Sequence, residues 1–257
     1  MFIKKCAEDI EDKDMEIKKC VVCGSKSIVS AGGDVYECLD CSHKYVNYTG
    51  DGLNYHKNEY RNNNHGTRTT DEIDNGEFTQ KFHDFRDEIC KKRINLIKDF
   101  IDECDSLLDI GAGGGTFVNM IKDNFTTVEC QEISDICVNN LNRYGYHTYH
   151  GDFNDLNFNR TYDLVTCWQV LEHIKDLHSF VENASKITDK YLVLEVPLLH
   201  SKGTRTRGIP PVDRWDGHYH FFSQKSMTKL FEQHFEILDL QEPGIQIPSL
   251  SVLLKKK

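Results

Sequence analysis

The chain has no run of about eighteen or more apolar residues, so no helix of the length a bilayer demands can be drawn from it. Residues 1–19 mix acids with lysines and lack an apolar h-region, which argues against a secretory signal and makes the cytoplasm the expected compartment. Positive charge is also scarce. With 31 Lys and Arg against 41 Asp and Glu the net charge is −10, and a protein that binds nucleic acid gains most of its affinity by neutralising phosphates, so a polyanionic partner is disfavoured. A small disulfide-stapled format is missing too: of ten cysteines, four form two CxxC pairs and six are scattered singly, which reads as reduced thiols. What remains is 257 residues, 39% hydrophobic, enough for one sizeable core and a small appendage.

The run Leu107-Leu108-Asp109-Ile110-Gly111-Ala112-Gly113-Gly114-Gly115 joins an apolar strand to a glycine-rich turn. Residues without Cβ atoms let the chain turn sharply out of a strand and let a ligand approach its backbone. The dinucleotide fingerprint G-x-G-x-x-G/A is absent, because its last position falls on Thr116 counting from Gly111 and on Val118 counting from Gly113. Asp109 points away from a pyrophosphate as well. A carboxylate before the turn repels phosphates and suits a ligand with ammonium and sulfonium charges, as S-adenosylmethionine has.

Residues 128–132 read as a second strand ending in Glu132, where an α/β nucleotide fold binds ribose hydroxyls. A third stretch, 147–150, runs into Gly151-Asp152-Phe153, offering a carboxylate for an adenine amino group and a ring beside the base. The fourth, 162–168, ends at Trp168, expected beside the same ligand, and continues into Gln169-Val170-Leu171-Glu172-His173-Ile174. These landmarks in this order resemble the class I S-adenosylmethionine-dependent methyltransferases from about residue 102 onward. The resemblance implies an α/β, Rossmann-like sheet of seven strands in the order 3-2-1-4-5-7-6, with the donor held by Asp109, Gly111, Ala112, Gly113, Glu132, Asp152, Phe153 and Trp168.

Cys20-x-x-Cys23 and Cys38-x-x-Cys41 are fourteen residues apart, close to the spacing of a zinc site. Two such knuckles complete a closed Zn–S₄ shell with no open position, so this zinc is expected to be structural. About thirty residues bury too little apolar surface to fold alone, and metal binding supplies the difference. Strand-like pieces at 27–30, 35–37 and 44–48 suggest a zinc ribbon over 18–48; His43 is expected at the surface. A polar connector or lid spans 49–76, including Tyr55-His56-Lys57-Asn58-Glu59-Tyr60, and the catalytic domain spans 77–257. A long amphipathic helix is expected from Glu77, with Phe78, Phe82, Phe85, Ile89, Ile94, Ile97 and Ile101 on one face. Near the other terminus, Ser223 is read as a helix cap and Lys255 to Lys257 as a solvated tail.

Methyl transfer from a sulfonium is an in-line displacement, so the enzyme aligns the acceptor and removes its proton when the acceptor is a hydroxyl. His173 and His220 are the candidate bases, with Glu172 beside the first. Gln169-x-x-Glu172-His173 also resembles the E-x-x-E-H site of divalent-metal-dependent quinone-precursor and small-RNA methyltransferases, with Gln169 in place of the first acid. That implies Mg²⁺ or Mn²⁺ on Gln169, Glu172 and His173, with His218 or His220 closing the shell. Lys202, Arg205, Arg207 and Arg214, stiffened by Pro210-Pro211, form a cationic loop suited to phosphate or carboxylate. The expected reaction is methylation of a small anionic acceptor, such as a phosphorylated or nucleotide-linked sugar for a capsule polysaccharide. That expectation draws on a resemblance to bacterial sugar and capsule-cluster methyltransferases with a CxxC…CxxC ribbon. Two alternatives stand beside it: a ribosomal- or transfer-RNA methyltransferase that touches RNA through its ribbon, and a non-catalytic scaffold that keeps the fold and binds a protein partner. The oligomeric state is not legible.

Overall fold

A computed structural model of the chain describes residues 19–32, 35–46, 80–197, 218–241 and 249–257. The connector, the cationic loop and the divisions expected near 48 and 76 lie outside the described residues, as does Phe78. No described helix is long and apolar enough to cross a membrane.

Three short strands, β1 (Ile28–Gly32), β2 (Val35–Cys38) and β3 (Lys44–Val46), form an antiparallel meander that carries the four clustered cysteines. Helix α1 (Gln80–Ile101) leads into β4 (Ser106–Ile110), and α2 (Thr116–Ile121) into β5 (Thr127–Glu132). Helix α3 (Asp135–Arg143) precedes β6 (His147–His150) and β7 (Tyr162–Trp168), and α4 (Leu177–Ile187) precedes β8 (Thr188–Pro197). Then come β9 (His220–Phe221), α5 (Gln224–Phe231), β10 (Phe235–Gln241) and β11 (Ser249–Lys256).

The large sheet runs β10-β11-β8-β7-β4-β5-β6. Strands β8, β7, β4, β5 and β6 are parallel, and β11 and β10 add antiparallel at one edge. Counted in chain order within this sheet, the arrangement is 3-2-1-4-5-7-6, as the resemblance implied. Every residue of β4 is buried because helices cover both faces of the sheet. Side chains alternate faces along a strand, so Leu108, Ile110, Val165 and Cys167 enter one core while Leu107, Leu164 and Trp168 enter the other with Cys90, Ile97 and Ile101 of α1. The order reverses between β4 and β7, and the carboxyl ends of these strands therefore open a crevice there.

The small sheet is not closed by the amino-terminal segment alone. Strand β9, from the far end of the sequence, pairs antiparallel with β3, setting Tyr45 opposite His220 and Lys44 opposite Phe221. Cys20, Val22, Cys38 and Cys41 share one core with Phe222, Met227 and Leu230. This corrects His43: with β9 laid alongside, it is fully buried, stacked 5.2 Å from the His220 ring and tilted against the Phe222 ring at 5.0 Å. The last lysines are corrected too. Lys255 and Lys256 belong to β11, Lys256 Nζ donates to the Ser185 carbonyl and lies 5.5 Å over the Phe235 ring, and Lys257 Nζ donates to the Glu232 carbonyl. Ser223 caps α5 as expected, its Oγ accepting from the Ser226 amide at 3.1 Å and donating to the Cys41 carbonyl at 2.8 Å.

Candidate functional site

The glycine-rich turn leaves β4 with Gly111 at φ +67° and Gly113 at φ +56°, a left-handed backbone that side chains disfavour. At Gly111 space adds to torsion, since a Cβ there would meet Val170 Cγ2 at 2.4 Å. Nothing lies within 4 Å of a Cβ built on Gly113, so its face of the turn is open. Partners from β5 brace the turn. The Gly111 amide donates to Gln131 Oε1 at 3.1 Å, and the Gly113 amide to Glu132 Oε2 at 2.8 Å.

Glu132 sits at the end of β5 with its other oxygen accepting from the Ile133 and Ser134 amides at 2.7 and 2.9 Å. A carboxylate offers about four lone-pair directions, so three amide bonds fix its orientation and leave one for a hydroxyl. Asp109 is sealed beneath the turn, 1% exposed, and accepts from Thr166 Oγ1 at 2.7 Å because the register sets these residues opposite each other. Burial pushes its carboxyl up to about 7, while the Thr166 hydroxyl and Arg93 pull it down and Glu132 adds to the rise. Ala112 is buried in the turn itself.

Asp152 follows β6 and caps a short helical turn through the Asn154 amide at 2.9 Å. Phe153 requires a correction. Its ring is 1% exposed, packed 5.0 Å from Phe180 and 5.4 Å from Phe158, because this position turns under the sheet, so only its backbone can face a ligand. Trp168 closes β7 at 7% exposure, edge-on to Phe117, with the Arg93 guanidinium 5.0 Å from its ring centre.

Beyond β7 the chain turns with Gln169 at φ +59°, a strained conformation for a residue with a side chain. Gln169 Nε2 donates to Glu195 Oε1 at 3.0 Å, which holds its side-chain amide against β8. The same turn presses Val170 onto Gly111 and presents Glu172 and His173. Glu172 is buried, and His173 Nε2 lies 3.9 Å from its Oε1. The His218 ring packs edge-on to His173 at 4.6 Å, and the Tyr219 amide donates to the Glu172 carbonyl at 2.8 Å. One donor atom from each of Glu172, His173 and His218 lies within 4.8 Å of the others.

His220 is not part of this group, which corrects its reading as a base. Pairing with β3 turns its ring inward, where Nδ1 lies 3.1 Å from His43 Nε2 and burial lowers its pKa to about 4. It ties the ribbon to the large domain.

In the ribbon the Cys20 and Cys41 sulfurs are 3.6 Å apart, as are those of Cys23 and Cys38, and all four lie within 4.8 Å of one another. A tetrahedron with metal–sulfur bonds of about 2.3 Å has edges of roughly 3.8 Å, so the four thiols fit one zinc ion. Burial pushes the Cys20 thiol up to about 11 and Cys41 higher, an environment that a divalent cation reverses.

The residues that sequence reasoning missed are Gln131, Thr166, Arg93 and Glu195. The last two form an ion pair, Arg93 Nε donating to Glu195 Oε2 at 2.9 Å. Gln131 was visible within the second strand, but nothing distinguished Arg93 from Lys91 and Lys92 beside it.

The sequence matches the methyltransferase domain family over residues 82–238. The chain belongs to this family. Its fold is that of S-adenosylmethionine-dependent methyltransferases of known structure. Similar folds include a magnesium protoporphyrin IX methyltransferase from Synechocystis with the methyl donor bound (TM-score 0.59, 12% identity, 82% of this chain and 100% of that one). A second is an S-adenosylmethionine-dependent methyltransferase of Clostridium acetobutylicum (TM-score 0.54, 14% identity, 72% and 95%). At such identities the likeness is one of fold. An uncharacterized protein of Methanocaldococcus jannaschii is 36% identical over 107 residues, covering 38% of this chain and 44% of that protein, so the chain spans under half the length of this relative. The chain therefore carries a methyltransferase domain, in a fold shared with S-adenosylmethionine-dependent methyltransferases.

Proposed function

We propose that the methyltransferase acts on a small anionic acceptor carrying a hydroxyl, such as a phosphorylated or nucleotide-linked sugar used in a capsule or other polysaccharide. The observation that supports this reading is the closeness of the two groups: a Cβ built on Gly111 would meet Val170 Cγ2 at 2.4 Å, so the turn after β4 lies against the segment that carries Glu172 and His173, with His218 beside them. Asp109, Gly111, Ala112, Gly113, Glu132, Asp152 and Trp168 would seat the donor, with its positive charge toward the acids. In an in-line displacement the acceptor oxygen forms its bond to the methyl carbon as the carbon–sulfur bond breaks. His173 then takes the hydroxyl proton on an imidazole nitrogen, backed by Glu172. The same three side chains are a donor set for Mg²⁺ or Mn²⁺, and such an ion would supply charge that stabilises an acceptor alkoxide. Chelation that leaves the ribbon loaded and abolishes turnover would assign the group to the metal; unaltered turnover would leave His173 as the base.

The net charge of −10 supports a small acceptor over a polyanion. Residues 18–48 act as a structural zinc ribbon on Cys20, Cys23, Cys38 and Cys41, residues 49–76 as a connector, and residues 77–257 as the catalytic domain. The ribbon abuts the acceptor side because β9 pairs with β3 two residues after His218. The test is mass spectrometry after incubating protein and donor with phosphorylated sugars, nucleotide-linked sugars and RNA fragments. A gain of one methyl on a sugar is expected. A gain on RNA alone would overturn the acceptor class, and the absence of donor binding by calorimetry would overturn the enzyme reading.

A further inference from the structure

We propose that the ribbon builds one wall of the catalytic group, with His43 as the positioning residue that sets His218 against His173. This rests on the role proposed above for Glu172, His173 and His218, and adds what holds the third of them in place.

Glu172 and His173 belong to the turn directly after β7, so the large sheet places both. His218 stands 21 residues beyond the end of β8, and the ribbon meets it there. The Tyr219 peptide is held from two sides: its amide donates to the Glu172 carbonyl at 2.8 Å, and its carbonyl accepts from the Val46 amide at 2.9 Å. From that point the antiparallel ladder continues, with Tyr45 opposite His220 and Lys44 opposite Phe221. One residue therefore joins the backbone of the ribbon to the turn that carries Glu172 and His173, and His218 is its neighbour in the chain.

Backbone pairing holds a strand without choosing its register, because every residue of the ladder offers the same N–H and C=O groups. Side chains make the choice. His43 and His220 are both buried, and their rings meet through Nε2 and Nδ1 at 3.1 Å. Phe222 lies against the same His43 ring at 5.0 Å, and Ser223 Oγ donates to the Cys41 carbonyl at 2.8 Å. A slip of one residue would turn the His220 ring to the opposite face and leave buried imidazole nitrogens unmet, which is costly. A slip of two restores the face but carries His218 about 7 Å along the strand. That is further than the 4.6 Å between its ring and that of His173, so the catalytic group would come apart. Slipped two residues one way, His43 would meet His218 in place of His220, and Phe222 and Ser223 would then lose their seats. The observed register alone satisfies all three contacts, and His43 makes two of them.

The test is NMR on the full, zinc-loaded chain with labelled histidines. It reads the nuclear Overhauser contact between the His173 and His218 rings, assigned with His173→Gln and His218→Gln. His43→Phe keeps an aromatic ring and removes the hydrogen bond, whereas His43→Gln keeps a side-chain amide that can meet His220. The ring contact is expected in wild-type protein and in His43→Gln, and is expected to vanish in His43→Phe with zinc content unchanged. With an acceptor that gains a methyl in the panel above, kcat of His43→Phe should fall roughly 100-fold, the cost of a misplaced group. Its donor affinity by calorimetry should match wild type, because the donor seat lies at the ends of β4, β5 and β6; a general loosening of the fold would lower both. A ring contact that persists in His43→Phe would overturn the proposal. Should that variant not fold, zinc-depleted wild-type protein decides: the contact should disappear as the amides of residues 20–46 begin to exchange freely, and a contact that outlasts them would overturn it. Loss of the contact with kcat unchanged would uphold the positioning and remove His218 from the reaction, which separates a failure of the catalytic reading from a failure of this one.

Discussion

Replacing Asp109 by asparagine separates stability from binding. In the folded chain burial lifts this carboxyl from its ordinary 3.8 to about 7, so the unfolded state ionises first as pH rises. Below pH 3.8 both states are protonated and the group contributes nothing. Between 3.8 and 7 the unfolded chain gains by ionising while the folded one does not, and stability is lost at about 1.4 kcal/mol per pH unit. Above pH 7 the loss levels off at about 4 kcal/mol. Asparagine cannot ionise, and its carbonyl can still accept from Thr166 Oγ1, so Asp109→Asn removes this penalty. Urea unfolding of the zinc-loaded, donor-free protein at pH 5 and pH 8 is the assay. The variant should gain little at pH 5 beyond about 1–2 kcal/mol, and up to about 4 kcal/mol at pH 8. Donor affinity should fall in the same variant, because it removes the carboxylate proposed to face the donor's ammonium. A stability difference that does not grow with pH, or a variant less stable at pH 8, would refute the burial argument.

Because a cationic donor favours the ionised form of Asp109, wild-type affinity for S-adenosylmethionine should rise as pH climbs toward 7, by up to roughly tenfold per unit, and then flatten; calorimetry from pH 5.5 to 8 reads this. Gly111→Ala adds a 2.4 Å approach to Val170 on top of left-handed strain and should cost about 2–4 kcal/mol by denaturant titration. Gly113→Ala meets no atom within 4 Å, so it should cost only about 1–2 kcal/mol, yet weaken donor binding by filling the open side of the turn. Cys41→Ser should reduce zinc from about one ion per chain by elemental analysis. It should also speed amide exchange at residues 219–222 by at least roughly tenfold, because β9 is held by β3 and by the Ser223–Cys41 contact. Exchange unchanged in zinc-depleted protein would show that β9 keeps its place without the ribbon.

Much of the fold was legible because its signals are local. The strand run 107–110 and the glycines after it declare themselves through backbone chemistry that neighbours cannot supply, and four such landmarks at helix-length intervals imply the sheet. The paired CxxC spacing declares itself for the same reason, since two thiolates three residues apart fit one ion. The site was legible only in part. Phe153 and His43 misled because one residue does not reveal which side of its segment is covered, and each ring turns into a core made by distant elements. His220 misled more sharply. Histidine types alone do not distinguish His218, which meets His173, from His220, which β3 turns toward His43 two residues later.

By itself the sequence determined the class of protein: a sheet-bearing domain with a donor turn, preceded by a cysteine module, because periodicity, glycine placement and thiol spacing act within a few residues of chain. Only the tertiary structure decided which side chains meet. The pairing of β9 with β3, the ion pair of Arg93 with Glu195, 102 residues apart, and the approach of His218 to Glu172 are contacts between distant stretches. Such contacts leave no periodic trace, because they are set by the packing of whole elements and not by the preferences of the residues that make them.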